Sequence, residues 1–204
     1  MKINEKIKKV LEENNNIITP SQVEELGYSR QLLYKYSNEG LLVRERQGVY
    51  MASNFVHDDM YTLMLKSDYI IFSHETALFL NNLSDRTPFI HSLTIPSTTK
   101  LSNVLNSECK TFYIKPELHE IGLVLKENTF GNKVKCYNAE RTICDILRSR
   151  NRLDDETLIT ALKKYAVSPN KNLNLLFEYS KMFRVSNILK KYLEVLLWVQ
   201  VLWN

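Results

Sequence analysis

Glycine is scarce in this chain, with five in 204 residues, and no cluster of them resembles a phosphate-cradling loop or a flexible linker. Cysteine is scarcer still: Cys109, Cys136 and Cys144 are odd in number and lack a CxxC spacing, as expected of reduced thiols in a cytoplasm. The four histidines (57, 74, 91 and 119) form no HxxxH or HExxH pattern, so no metal and no cofactor are expected. A long apolar run is missing too. The longest stretch, LEVLLWVQVLW at 193–203, is broken by Glu194 and Gln200 and is about half a membrane span. The opening MKINEKIKKVLEENN is too charged for the core of a signal peptide. These absences predict a soluble, cytoplasmic protein that does not enter a membrane. A net charge of +4 is too mild by itself to declare a nucleic-acid binder.

What is present is an ordinary globular composition, 44% apolar and 25% charged, with length for one large domain or two small ones. Ile3, Ile7, Val10 and Leu11 recur at helical spacing, which predicts a helix over 2–14 that stops at three asparagines. Thr19-Pro20-Ser21-Gln22 is a strong helix start: Thr19 can cap, Pro20 suits the first position, and Gln22 can reach back. Gly27 closes that helix after about two turns. Ser29 is placed to cap a third helix over 30–38, with Leu32, Leu33 and Tyr36 inward, and Gly40 ends it. Leu41 to Arg46 then pairs with Val49 to Met51 across Gln47-Gly48, a tight turn in which glycine supplies the positive φ.

Three short helices and a hairpin make a winged helix-turn-helix, predicted over 1–54 as a DNA-binding domain. With 32, 33 and 36 claimed by the core, the third helix is left with Ser29, Arg30, Gln31, Tyr34 and Lys35 on its outer face. Arginine can pair with guanine, glutamine with adenine, and serine, tyrosine and lysine can reach phosphates. Arg44, Arg46 and Gln47 stand where a wing would touch the duplex. The plainer reading is a small helical domain with a wet polar face that serves as a protein-interaction module.

Beyond Met51 the pattern changes, with the boundary placed near Asn54. Asp58 to Lys66 reads as a helix, Tyr69 to Phe72 as a buried strand, and Ser73 as the cap of a helix through Leu80. FIHSLTIP, TFYIK (111–115), GLVLKE (122–127) and KVKCY (133–137) read as strands. Helices follow at 138–150, 155–166, about 172–182 and about 185–198. The predicted class is α+β, a winged helix-turn-helix followed over 55–204 by a mixed α/β domain with a helical tail.

Four motifs carry a family resemblance in order: Gly48-Val49-Tyr50 at the hairpin, Ser73-His74-Glu75-Thr76-Ala77-Leu78, Leu93-Thr94-Ile95-Pro96, and Glu140-Arg141-Thr142-Ile143-Cys144-Asp145. Over roughly 5–150 the chain resembles the antitoxin of the AbiE abortive-infection system, of the type IV toxin–antitoxin class. The resemblance implies a bifunctional protein. Its winged domain would repress the toxin–antitoxin operon by binding operator DNA at inverted repeats. Its C-terminal domain would counter a nucleotidyltransferase-like toxin without a stable complex, and would assist cooperative operator binding.

Other constellations read more plainly. Arg141 and Asp145, four apart, suit an ion pair on a helix surface better than an acid/base or metal pair. Asp58-Asp59 suits a helix start, His74 a capping turn, and Cys136 and Cys144 the core. No catalytic centre is expected. From Thr157 to Leu193, Lys163, Lys164, Lys171, Lys181, Arg184, Lys190 and Lys191 face one acid, Glu178. That surplus is either a solvated face or a surface for an anion or partner, with Lys163, Lys164, Lys181, Arg184, Lys190 and Lys191 as its candidates. The rival functions are an ordinary winged-helix regulator whose second domain oligomerises or senses a ligand, and, more weakly, a nuclease.

Overall fold

The computed structural model describes residues 2–53 and 58–193. The chain divides into two compact units, Met1–Asp68 with Thr129–Asn132, and Tyr69–Asn128 with Lys133–Asn204. The composition change near Asn54 lies outside the described residues. The units part at Asp68 because the helix Asp59–Lys66 packs on the first unit's hairpin, and Arg46 grips Asp68.

In the first unit the order is α1 (Glu5–Glu13), β1 (Ile17–Ile18), α2 (Pro20–Glu25), α3 (Gln31–Asn38), β2 (Leu42–Arg46), β3 (Val49–Ala52) and α4 (Asp59–Lys66). The predicted capping box is present: Gln22 N–H donates to Thr19 Oγ1, and Thr19 N–H donates to Gln22 Oε1 at 2.9 Å. The hairpin forms across Gln47-Gly48 with Arg46 opposite Val49, and a bulge between Arg44 and Arg46 shifts the register so that Arg44 lies opposite Tyr50. The sequence reading missed β1, which adds antiparallel to β3 and gives a three-stranded sheet, β1-β3-β2. Two residues are too short to show alternation. Ile7, Leu11, Ile18, Val23, Leu33, Tyr36 and Leu42 form the core. Asp58 caps α4 through Tyr61 N–H, and its other oxygen accepts from Asn132 Nδ2 at 2.7 Å.

The second unit holds a mixed five-stranded sheet, ordered β6-β5-β4-β8-β7. Its strands are β4 (Ile71–Phe72), β5 (Ser92–Pro96), β6 (Lys110–Ile114), β7 (Leu123–Glu127) and β8 (Lys133–Tyr137). The β4–β8 and β5–β6 pairs are parallel and the others antiparallel. A parallel neighbour needs a crossover, and residues 97–109 with α6 (Asn103–Glu108) supply it. All five residues of β5 are buried, as expected of an interior strand covered on both faces. The helices are α5 (His74–Leu80), the short α7 (Pro116–His119), α8 (Ala139–Arg148), α9 (Asp155–Val167) and α10 (Leu173–Met182). Residues 186–193 are also helical; the rest of the predicted 185–198 helix and most of the 193–203 apolar stretch lie outside the described residues. Leu78, Ile143, Ile146, Leu147, Leu162, Tyr165, Leu176 and Phe183 pack one core. The class is α+β, as the sequence predicts.

Candidate nucleic-acid interface

Two glycines frame the helix-turn-helix. Gly27 (φ +83°) closes α2, with Tyr28 N–H on the Val23 carbonyl, and Gly40 (φ +70°) closes α3, with Leu41 N–H on the Tyr36 carbonyl. Both are six-to-one closures in which the residue after the cap must be left-handed, so glycine fits without strain. The Tyr36 hydroxyl accepts from Asn4 N–H and ties the third helix to the start of the first.

α3 begins one residue later than predicted. Arg30 occupies the cap position and Ser29 Oγ accepts from Gln31 N–H at 3.3 Å. Leu33 and Tyr36 are buried and Leu32 packs against the core. Gln31, Tyr34, Lys35 and Asn38 are exposed and, at spacings of three and four, form one row along the helix. Tyr34 is 61% exposed, a large value for an aromatic side chain in no core. Asn38 escaped the sequence reading, although helical periodicity from Gln31 and Tyr34 points to it. Arg30 is exposed, with Glu24 3.7 Å away. Ser29 is exposed, but its hydroxyl serves the turn.

The wing is less uniform than expected. Arg44 is exposed and makes no ion pair among the described residues, and Gln47 is exposed at the turn beside Gly48 (φ +77°). Arg46 instead makes a two-pronged pair with Asp68, at 2.9 and 3.0 Å, and is partly covered. Its charge is matched within the unit, so it anchors the tip of the wing, next to the Gln47-Gly48 turn, to the segment after α4.

Residues 5–52 match the sequence model of the family described as transcriptional regulator, AbiEi antitoxin. This segment is similar to that family over about a quarter of the chain. The match ends at residue 52, so the motifs at 73–78, 93–96 and 140–145 lie outside it. In fold the chain is similar to the RV2827C protein from Mycobacterium tuberculosis, with a TM-score of 0.61 and 12% identity over 86% of this chain and 70% of that one. At that identity the likeness is one of fold alone. No curated protein matches the sequence.

The second unit revises several expectations. Arg141 and Asp145 are not a surface pair: they are 0% and 2% exposed. Arg141 Nε donates to Asp145 Oδ2 at 3.0 Å, and Nη1 donates to the carbonyls of Leu118 and Ile121. Its guanidinium lies between the rings of Tyr137 and Phe183, 4.1 and 3.9 Å from their centroids. Gly122 (φ +80°) leaves room for it, since a Cβ there would stand 2.7 Å from Arg141 Cβ. Buried Glu140 accepts from the Tyr165 hydroxyl and from Asn172 N–H. Periodicity could not reveal this, because a surface pair and a buried pair share one spacing.

His74 is more than a capping-turn residue. It is buried with φ +46°, stacks on Phe112, and has its ring nitrogens 3.0 Å from the Ser73 and Ser149 hydroxyls. Burial first, then the charges of Arg148, Lys110, Arg152 and Arg141, hold its pKa well below the ordinary value. Cys136 and Cys144 are core thiols pushed up to about 12 by burial, hence not thiolates. Among the described residues no group of three or more His, Cys, Asp or Glu could hold a metal. Nor is any helix among them long and apolar enough to cross a membrane.

The basic tail is scattered in role. Lys164 pairs with Asp85, while Lys163, Lys181, Lys190 and Lys191 are exposed. Arg184 lines a cavity of about 350 Å³ together with Arg148, Lys115 and Tyr113, which come from other elements. A cavity of about 640 Å³ lies beside Glu75, Arg86, Phe89 and Lys110; its two cations are already paired, Lys110 with Glu75 and Arg86 with Glu156, and Asp154 in its wall accepts from Thr157.

Proposed function

We propose that this protein is the antitoxin of a type IV, abortive-infection toxin–antitoxin system and represses its own operon by binding inverted repeats in the promoter. The observation that carries this reading is the exposed row Gln31, Tyr34, Lys35 and Asn38 on α3, within the segment that matches the AbiEi regulators. The row offers amide groups for base edges and a lysine and a phenol for phosphates. Arg30 extends it at the helix start, and Arg44 and Gln47 meet the neighbouring backbone or groove. Ser29 serves the turn that aims the helix, and Arg46 holds the wing. The second unit counters a nucleotidyltransferase-like toxin in the cytoplasm without a stable complex.

A titration of the full-length protein with the DNA upstream of its own gene, followed by fluorescence anisotropy, tests the reading. Tight binding is expected to that DNA and not to a version with scrambled repeats. Equal binding to both would overturn repression. Growth rescue by co-expression with an adjacent nucleotidyltransferase-like gene tests the other half. The alternative, a winged-helix regulator whose second domain senses a ligand, draws support from the cationic cavity at Arg184. It predicts DNA affinity that changes with a small molecule, and no rescue.

A further inference from the structure

Among the described residues, five helices end in the same turn, in which the residue after the cap is left-handed and the next N–H bonds back to a carbonyl five residues earlier. The left-handed residues are Asn15, Gly27, Gly40, Asn82 and Arg184, and the closing bonds run from Asn16, Tyr28, Leu41, Leu83 and Val185. Glycine and asparagine are the residues that take this conformation at least cost. Four of the five turns obey that rule. At α10 the position holds an arginine with φ +58°. The turn does not require arginine, so a reason for it lies in the side chain.

That side chain reaches the cavity of about 350 Å³, large enough for a small ligand. Arg148, from the last turn of α8, and Lys115, after β6, share the wall. Neither Arg148 nor Arg184 makes an ion pair among the described residues, and both are exposed. The one carboxylate in the wall, Glu117, stands 3.7 Å from Lys115 and leaves the two guanidiniums unmatched. Tyr113 is 49% exposed, and with Met182 it gives the same cavity an apolar surface. Two planar guanidinium forks select oxyanions that offer several oxygens, such as phosphate. A tyrosine beside them offers a face to a base.

We propose that this cavity binds the terminal phosphate of a nucleotide, free or at the end of a nucleic-acid chain, between Arg148 and Arg184, with the base against Tyr113. The site is independent of the winged domain and of the antitoxin reading. Titration calorimetry on the full-length protein with guanosine and adenosine 5′-monophosphates, inorganic phosphate and a 5′-phosphorylated tetranucleotide tests it. Removing one charge-assisted hydrogen bond is expected to weaken binding by about tenfold or more, so Arg184→Gly and Arg148→Gln should both do so. Arg184→Gly relieves the left-handed turn, so its melting temperature should hold or rise by about 2 °C as binding is lost. Lys181→Gln, on the same helix end but outside the wall, should leave affinity within about twofold. Preference for the tetranucleotide would assign the pocket to a chain end, and preference for a mononucleotide to a free ligand. No binding to any of the four probes, or equal losses in all three variants, would overturn the proposal.

Discussion

Arg141 is the residue on which the second unit's interior turns. A guanidinium out of water is tolerated only with its charge matched and its donors used. Asp145, two carbonyls and two aromatic faces meet that need, although Nη2 has no hydrogen-bond partner among the described residues. Arg141→Ala should destabilise the fold by about 3–5 kcal/mol in denaturant unfolding, because it leaves Asp145 buried and unmatched. Burial already pushes the Asp145 carboxyl up, and Arg141 opposes that shift. Arg141→Met with Asp145→Leu should therefore recover much of the loss; a double variant no better than the single would refute the pairing argument. His74 gives a pH signature. Its pKa is depressed in the fold, so below about 6.5 the unfolded chain binds a proton that the folded chain refuses. Its contribution is complete above that pH and falls by about 1.4 kcal/mol per unit as pH drops toward the folded value. His74→Asn, which tolerates the left-handed φ, should flatten the fall between pH 6.5 and 5 relative to the parent. An unchanged slope would mean that other groups govern it.

At the scale of elements, α3 and the wing separate residues whose charge is free for a partner from residues that hold the frame. Lys35 and Arg44 are exposed cations without an ion pair among the described residues, each free to neutralise one phosphate. Lys35→Ala and Arg44→Ala should therefore each reduce the salt slope of operator affinity by about 1. Arg46→Ala should leave that slope unchanged, since Asp68 already matches its charge. Because Asp68 is 72% exposed in its side chain, the stability cost should stay below about 1 kcal/mol. A slope that falls with Arg46 and not with Arg44 would reverse the roles. Elements with chemical punctuation were legible in the sequence: the Thr19–Gln22 box, the glycine closures and the Gln47-Gly48 turn all formed. β1, α6 and α7 were not, since two to six residues hold too little periodicity. The pairing of Arg46 with Asp68, and the meeting of Lys115, Arg148 and Arg184, depend on tertiary folding and leave no mark in spacing.

For the whole molecule, the two units are not two halves of the chain. Thr129–Asn132 belongs with residues 1–68, and Asn132 supplies a buried hydrogen bond to the Asp58 carboxylate at the start of α4. Cutting the chain after Asp68 removes that partner. Cutting near residue 55 also strips α4 from β2, on which it packs. Loss of function in a fragment would therefore report damaged packing as readily as a divided task. Point variants on the full chain avoid the ambiguity. Lys35→Ala with Arg44→Ala removes two exposed cations from the α3 face and wing and touches no core residue, so the melting temperature should stay within about 2 °C of the parent, as for surface changes in general. If DNA is read by the first unit and the toxin countered by the second, this variant should derepress a promoter reporter while still rescuing growth in toxin-expressing cells. Repression and rescue lost together, at parental protein levels, would show that neutralisation depends on the DNA-binding face and would sink the division of labour.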